Sequence, residues 1–97
     1  MTSHQPPAPA PVHPPQPPRT ALVTGAGQGI GRAVALAFGR TGYGVAVLDI
    51  DQAAIDETLQ ELRAVGAPDA VGMVADVSDE ADVARAMALL DRRWGVL

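Results

Sequence analysis

The sequence has 97 residues and a mass of 10.0 kDa, carries a net charge of −4 and is 47% apolar. It contains no cysteine, which excludes a disulfide framework, a thiolate metal site and thiol chemistry together. Seven basic against eleven acidic residues give no electrostatic footprint for nucleic acid or an anionic membrane surface.

Eight of the nine prolines precede residue 19. Proline fixes φ and removes the amide donor, so residues 1–18 cannot join a helix or a central strand. Beyond Met1 this stretch has only Val12 as a sizeable apolar side chain, too little to offset the entropy of ordering it. A disordered, largely polyproline II tail is expected, followed by a folded unit over residues 19–97. His4 and His13 lie in the tail without a neighbouring carboxylate, so no metal site is expected there. The first residues also lack the basic and apolar regions of a secretory signal. The longest apolar run, Ala33 to Phe38, is far shorter than the ~18 residues of a spanning helix. A cytoplasmic location is the default expectation.

From Thr20 onward strand and helix signals alternate. Ala21 to Thr24 is a short apolar run ending at Gly25, the pattern of a strand buried on both faces. Ile30, Val34, Ala37 and Phe38 then recur at helical spacing, with Gly42 placed to end that helix. Val45 to Leu48 reads as a second buried strand. Asp51 can cap a second helix with the stripe Ile55, Leu59, Leu62 and Val65, stopped by Gly66 and Pro68. Val71 to Val74 is a third strand, ending near Asp76. Ser78 is the expected cap of a third helix whose stripe is Val83, Met87 and Leu90. Tyr43, in the turn before the second strand, reads as a packing residue.

Such alternation implies parallel strands joined by right-handed crossovers. The expected fold is α/β, half of a doubly wound parallel (Rossmann) sheet with strands ordered 3-2-1. The first two helices should cover one face and the third the other.

The segment Thr24-Gly25-Ala26-Gly27-Gln28-Gly29-Ile30-Gly31 lies between the first strand and the first helix. A loop there brings backbone amides and a helix N-terminus to one place, which suits a pyrophosphate. Gly25 permits a tight exit from the strand, Gly29 a close approach of phosphate, and Gly31 close packing of helix on sheet. Asp49 ends the second strand at the spacing expected of an acid gripping an adenosine ribose. Its alternative role, capping the next helix, suits Asp51 better. Asp49 would repel a 2′-phosphate, and neither the neutral Gln28 nor the apolar Ile50 offers one a cation. NAD is therefore favoured over NADP. Asp76 also ends a strand at the carboxyl edge, either as a ligand contact or as a polar exit before the Ser78 cap.

The T-G-x-x-x-G-x-G pattern over Thr24 to Gly31 resembles the short-chain dehydrogenase/reductase family. The resemblance runs from about Thr20 to Leu97 and includes Asp49, Asp76-Val77 and the closing Trp94-Gly95-Val96-Leu97. It implies hydride transfer between nicotinamide and an alcohol or ketone, in an enzyme that is a homo-oligomer when complete. It also implies that Asp76, helped by the backbone of Val77, holds the adenine amino group. In the family a tyrosine acts as acid and base, a lysine lowers its pKa, a serine orients the substrate oxygen and an asparagine completes the relay. All four follow the region that these residues resemble. The single tyrosine, Tyr43, is not followed by a Tyr-x-x-x-Lys pattern, and the sequence contains no lysine. No catalytic residue is therefore assigned, and the 97 residues alone are expected to be inactive. A truncated gene product or a fragment of a longer enzyme is favoured over a stand-alone nucleotide-binding module. A further alternative is a non-catalytic interaction module, motivated by Pro14-x-x-Pro17-x-Arg19, which fits a polyproline ligand of aromatic-lined grooves.

Overall fold

The computed structural model describes residues 19–95. The readings made on segment 1–18, including His4, His13 and the proline motif, and those on Val96 and Leu97 lie outside the described residues. Six elements alternate along the chain: β1 (Thr20–Thr24), α1 (Gly29–Arg40), β2 (Gly44–Asp49), α2 (Gln52–Ala64), β3 (Ala70–Val74) and α3 (Glu80–Trp94). The strands form one parallel sheet with β2 between β1 and β3, the order expected from the sequence. No helix among the described residues is long and apolar enough to cross a membrane.

β2 is buried from Gly44 to Leu48, and its alternating side chains separate two cores. Val45 and Val47 face α1 and α2, meeting Ala35, Ile55 and Leu62. Ala46 and Leu48 face the other way, against Ala86 and Leu90 of α3. The helices are thus distributed over the two faces as expected. β1, read as buried on both faces, is only half-buried, because within the described residues it has a neighbour on one side alone.

Two of the three helix stripes differ from their sequence reading. Ile30 and Val34 of α1 are exposed, while Ala35 and Gly39 form its buried side. Size explains the difference. α1 lies so close to the sheet that a Cβ at position 31 would collide with the Gly25 carbonyl, and one at position 39 would stand 2.8 Å from Leu62 Cδ2. Only the smallest residues fit there, so the larger apolar residues turn outward, with Phe38 flanking the core. In α3, Leu90 is buried with Ala86, Val83 is half-buried and Met87 is exposed. The α2 stripe holds for Ile55, Leu59 and Leu62, and adds the buried Thr58.

Asp51 caps α2 as expected, accepting from the amides of Ala53 and Ala54. Ser78 does not cap α3. Its hydroxyl donates to Asp76 Oδ1 at 2.6 Å, and Asp79 instead accepts from the Ala81 amide. At the opposite end of the sheet, Asp69 joins the start of β3 to the end of α3. Its carboxylate accepts two bonds from the Arg93 guanidinium and one from Trp94 Nε1. Tyr43 packs edge-on against Phe38 with ring centroids 4.9 Å apart, the packing role expected of it.

Candidate functional site

The carboxyl ends of parallel strands are where an open α/β sheet presents loops to a ligand. Here the register aligns Thr24 with Leu48 and Asp49 with Val74, so the loops after all three strands emerge side by side. Gly25, Asp49, Ile50, Asp76 and Val77 converge on one shallow cleft of about 140 Å³, floored by Leu48 and Ala75. Ile50 and Val77 are largely exposed and give it apolar lips. Gln28, Gly29, Ile30 and Gly31 do not line this cleft. They form the start of α1, with Gln28 as its extended N-cap residue.

The glycines differ in what they permit. Gly25 and Gly29 have φ of 61° and 57°, the left-handed region that side chains disfavour, and the space beside each is open. Gly31 is required by close approach to Gly25, as described above. The amides of Gln28, Gly29, Ile30 and Gly31 have no acceptor among the described residues. They therefore present a row of unpaired donors at the positive end of the α1 dipole, which suits an anion.

Asp49 is set deeper. Oδ1 accepts the Asp51 amide and Oδ2 the Gly27 amide, each at 3.0 Å. The Asp51 amide chiefly, with those of Gly27 and Ile50, holds its carboxyl below the usual carboxylate range against the opposing effect of burial. With three amides on about four lone-pair sites, the ionised group keeps acceptor capacity for an external hydroxyl donor. Asp76 is exposed, and Ser78 donates to its Oδ1 through both hydroxyl and amide, which lowers its pKa as well. Its own amide donates to Asp82 Oδ2 of α3. Asp76 thus turns the chain ahead of α3, and it also lines the cleft, with no partner on its second oxygen among the described residues.

Three residues that shape the site carry no motif signal. Gly27 is buried, and a Cβ there would lie 2.7 Å from both Asp49 Oδ2 and Ala54 Cβ. Arg32 reaches back to the Gly27 carbonyl through Nε and Nη2 while pairing with Glu57 and Glu61 of α2. Thr58 brings its buried hydroxyl within 3.1 Å of the Ala26 carbonyl and 3.0 Å of the Ala54 carbonyl. Arg32 follows the glycine pattern directly, so its place was visible in the sequence, whereas its partners were not.

Comparison with known proteins places the chain in a family. Residues 19–97 match the family model described as short chain dehydrogenase. The chain is 43% identical over 77 residues to a sorbitol dehydrogenase of Cereibacter sphaeroides, covering 79% of this chain and 28% of that protein. It is 40% identical over 80 residues to versicolorin reductase 1 of Aspergillus parasiticus, covering 81% and 30% of the two chains. Among solved structures, an NAD⁺-bound xylitol dehydrogenase superposes with a TM-score of 0.75 at 34% identity, over 79% of this chain and 29% of that one. The chain therefore spans less than a third of the length of these relatives.

Proposed function

Because the chain belongs to the short-chain dehydrogenase family, we propose that it supplies the adenosine and pyrophosphate part of a nicotinamide-dinucleotide site in an oxidoreductase acting on an alcohol or ketone. The observation that carries this reading is the convergence of Gly25, Asp49, Ile50, Asp76 and Val77 on one cleft beside the unpaired amides of Gln28 to Gly31. The donor set fits the group. An ionised carboxylate suits ribose hydroxyls, apolar lips suit an adenine ring, and a row of amides at a helix start suits a pyrophosphate.

NAD is the dinucleotide we assign. Asp49 is ionised where a 2′-phosphate would lie, and among the described residues no basic side chain lines the cleft. Arg32, the nearest arginine in sequence to the loop, is engaged with Gly27, Glu57 and Glu61. When bound, the nicotinamide exchanges a hydride with the substrate carbon. The residues of this chain bind and orient the cofactor. With no lysine in the sequence and Tyr43 packed on Phe38, they hold no tyrosine–lysine pair for the reaction.

The test is amide-resolved NMR titration of the 97-residue chain with NAD, NADP and ADP-ribose. NAD and ADP-ribose should shift the signals of residues 25–31, 49–50 and 76–77, and NADP should do so more weakly. Saturating NAD that left those signals unmoved would overturn the assignment.

A further inference from the structure

We propose that Arg32 is a positioning residue of this site: by gripping the Gly27 carbonyl it aims the Gln28 amide, the first of the unpaired donors, toward the bound anion. The proposal rests on the dinucleotide reading given above for what the anion is. It does not rest on that reading for the hold on Gly27.

Gly27 is gripped from both sides by charge. Its amide donates to the Asp49 carboxylate at 3.0 Å, and its carbonyl accepts from the Arg32 guanidinium at 2.6 and 3.0 Å. Bonds to ionised partners are shorter and stronger than neutral ones. The Gly27 carbonyl and the Gln28 amide belong to the same planar trans peptide, in which C=O and N–H point in opposite directions. Fixing the carbonyl on Arg32 therefore fixes the Gln28 N–H on the far side of that plane, where no acceptor waits among the described residues. A cation on the carbonyl also polarises the peptide, making its N–H a better donor.

The ion pairs of Arg32 do not account for this arrangement. Glu57 and Glu61 are 67% and 46% exposed, whereas Arg32 is 23% exposed. Solvated pairs of that kind contribute little. Glu61 takes Nη1 and Glu57 shares Nη2, while the fork of Nε and Nη2 is turned onto the backbone oxygen. A lysine could offer that oxygen one point donor but not two from a rigid plane.

Three variants of the full 97-residue chain test this: Arg32→Ala, Arg32→Lys, and Glu57→Gln with Glu61→Gln. Without ligand, Arg32→Ala should shift the Gly27 and Gln28 amide signals and speed their hydrogen exchange, and the glutamate pair should leave both in place. In binding, Arg32→Ala should weaken ADP-ribose on the order of tenfold, while adenosine, which lacks the pyrophosphate, changes little. Arg32→Lys should recover part of the loss, and it carries the comparison if Arg32→Ala does not fold. Unchanged Gly27 and Gln28 signals in the arginine variants would overturn the proposal. So would a glutamate double variant that reproduces the ADP-ribose loss, because Arg32 would then act only by pairing the helices. If the wild-type chain bound neither ligand, the dinucleotide reading would fall, and the ligand-free signals would still decide the hold on Gly27.

Discussion

Gly31 of α1 rests on the backbone of Gly25, so closely that an added Cβ would stand 2.7 Å from the Gly25 carbonyl carbon. The obstacle is main chain at the end of β1 and cannot rotate away. Gly31→Ala should therefore lift the start of α1 and cost about 1–3 kcal/mol as overpacking. Gly39→Ala meets mainly Leu62 Cδ2, the end of a flexible side chain, and gains helix propensity. It should cost clearly less. Urea denaturation of the two variants checks the order, and equal losses would contradict it.

Gly29 makes a different prediction, because the space beside it is open and only its φ of 57° demands glycine. Asparagine tolerates the left-handed region better than other side chains. Gly29→Asn should thus fold with a loss of about 1 kcal/mol or less, yet place a side chain where the proposed pyrophosphate would approach. NAD affinity should fall, as it should in Gly29→Val, whose branched side chain adds backbone strain. A folded Gly29→Asn chain binding NAD like wild type would remove the loop from the site.

The proposed preference for NAD rests on Asp49. Asp49→Ala with Ile50→Arg removes the carboxylate and supplies a cation on the exposed lip. The ratio of NAD to NADP affinity should move toward NADP. Asp49 also anchors the amides of Gly27 and Asp51, so absolute affinity for both should drop. The ratio is the informative quantity, and an unchanged ratio would exclude Asp49 as the discriminator.

The parts of this molecule legible in the sequence are those set by neighbours along the chain. Strand runs, the Asp51 cap and the glycine stops at Gly42 and Gly66 depend on local spacing, and the sheet order follows from the handedness of crossovers. The buried side of α1 was not legible. Periodicity marks Ile30 and Val34 by hydropathy, whereas the sheet selects Gly31, Ala35 and Gly39 by size. Ser78 was a sound cap candidate until Asp76 took its hydroxyl, leaving the role to Asp79. Gly27, Arg32 and Thr58 act through partners more than twenty residues away or through a backbone fold-back. No motif encodes such contacts.

Asp69 provides a pH prediction at the other end of the sheet. Arg93 chiefly, with Trp94 and the Ala70 amide, lowers its pKa from 3.8 to about 2. A depressed carboxylate pKa means stability that is present above the unfolded value and lost as pH falls through the folded one. The clasp should therefore weaken between about pH 4 and pH 2. Asp69 is one-third exposed and Arg93 more so, which limits the contribution to about 1 kcal/mol. Trp94 is the only tryptophan and donates to Asp69, so its fluorescence reports the clasp directly. Asp69→Asn should abolish that acid-limb fluorescence transition, and its persistence in the variant would assign it elsewhere.

The last prediction concerns the 97 residues expressed alone. Within the described residues β1 is paired on one edge only, by β2, so the other edge offers unpaired amides and carbonyls to a second chain. Apolar surface lies open on α1, where Val34, Ala37 and Phe38 line a shallow groove of about 290 Å³. Ile30 is 85% exposed and Ile50 74%. Burying one such side chain is worth about 1.5–3 kcal/mol, and a whole domain is stable by only about 5–15 kcal/mol. Leaving several uncovered therefore removes a large share of what a small domain can hold. Leu90 and Ala86 are buried, so α3 retains its grip on the sheet and the chain should fold rather than remain a coil. It should nonetheless unfold at a temperature that rises with concentration, as an associating species does. Lacking a lysine-paired tyrosine, it should oxidise no NADH with any ketone. Thermal unfolding across a hundredfold concentration range, beside an NADH-oxidation assay, reads both. A sharp transition independent of concentration would refute association, and ketone-dependent turnover would refute the absence of an acid–base pair.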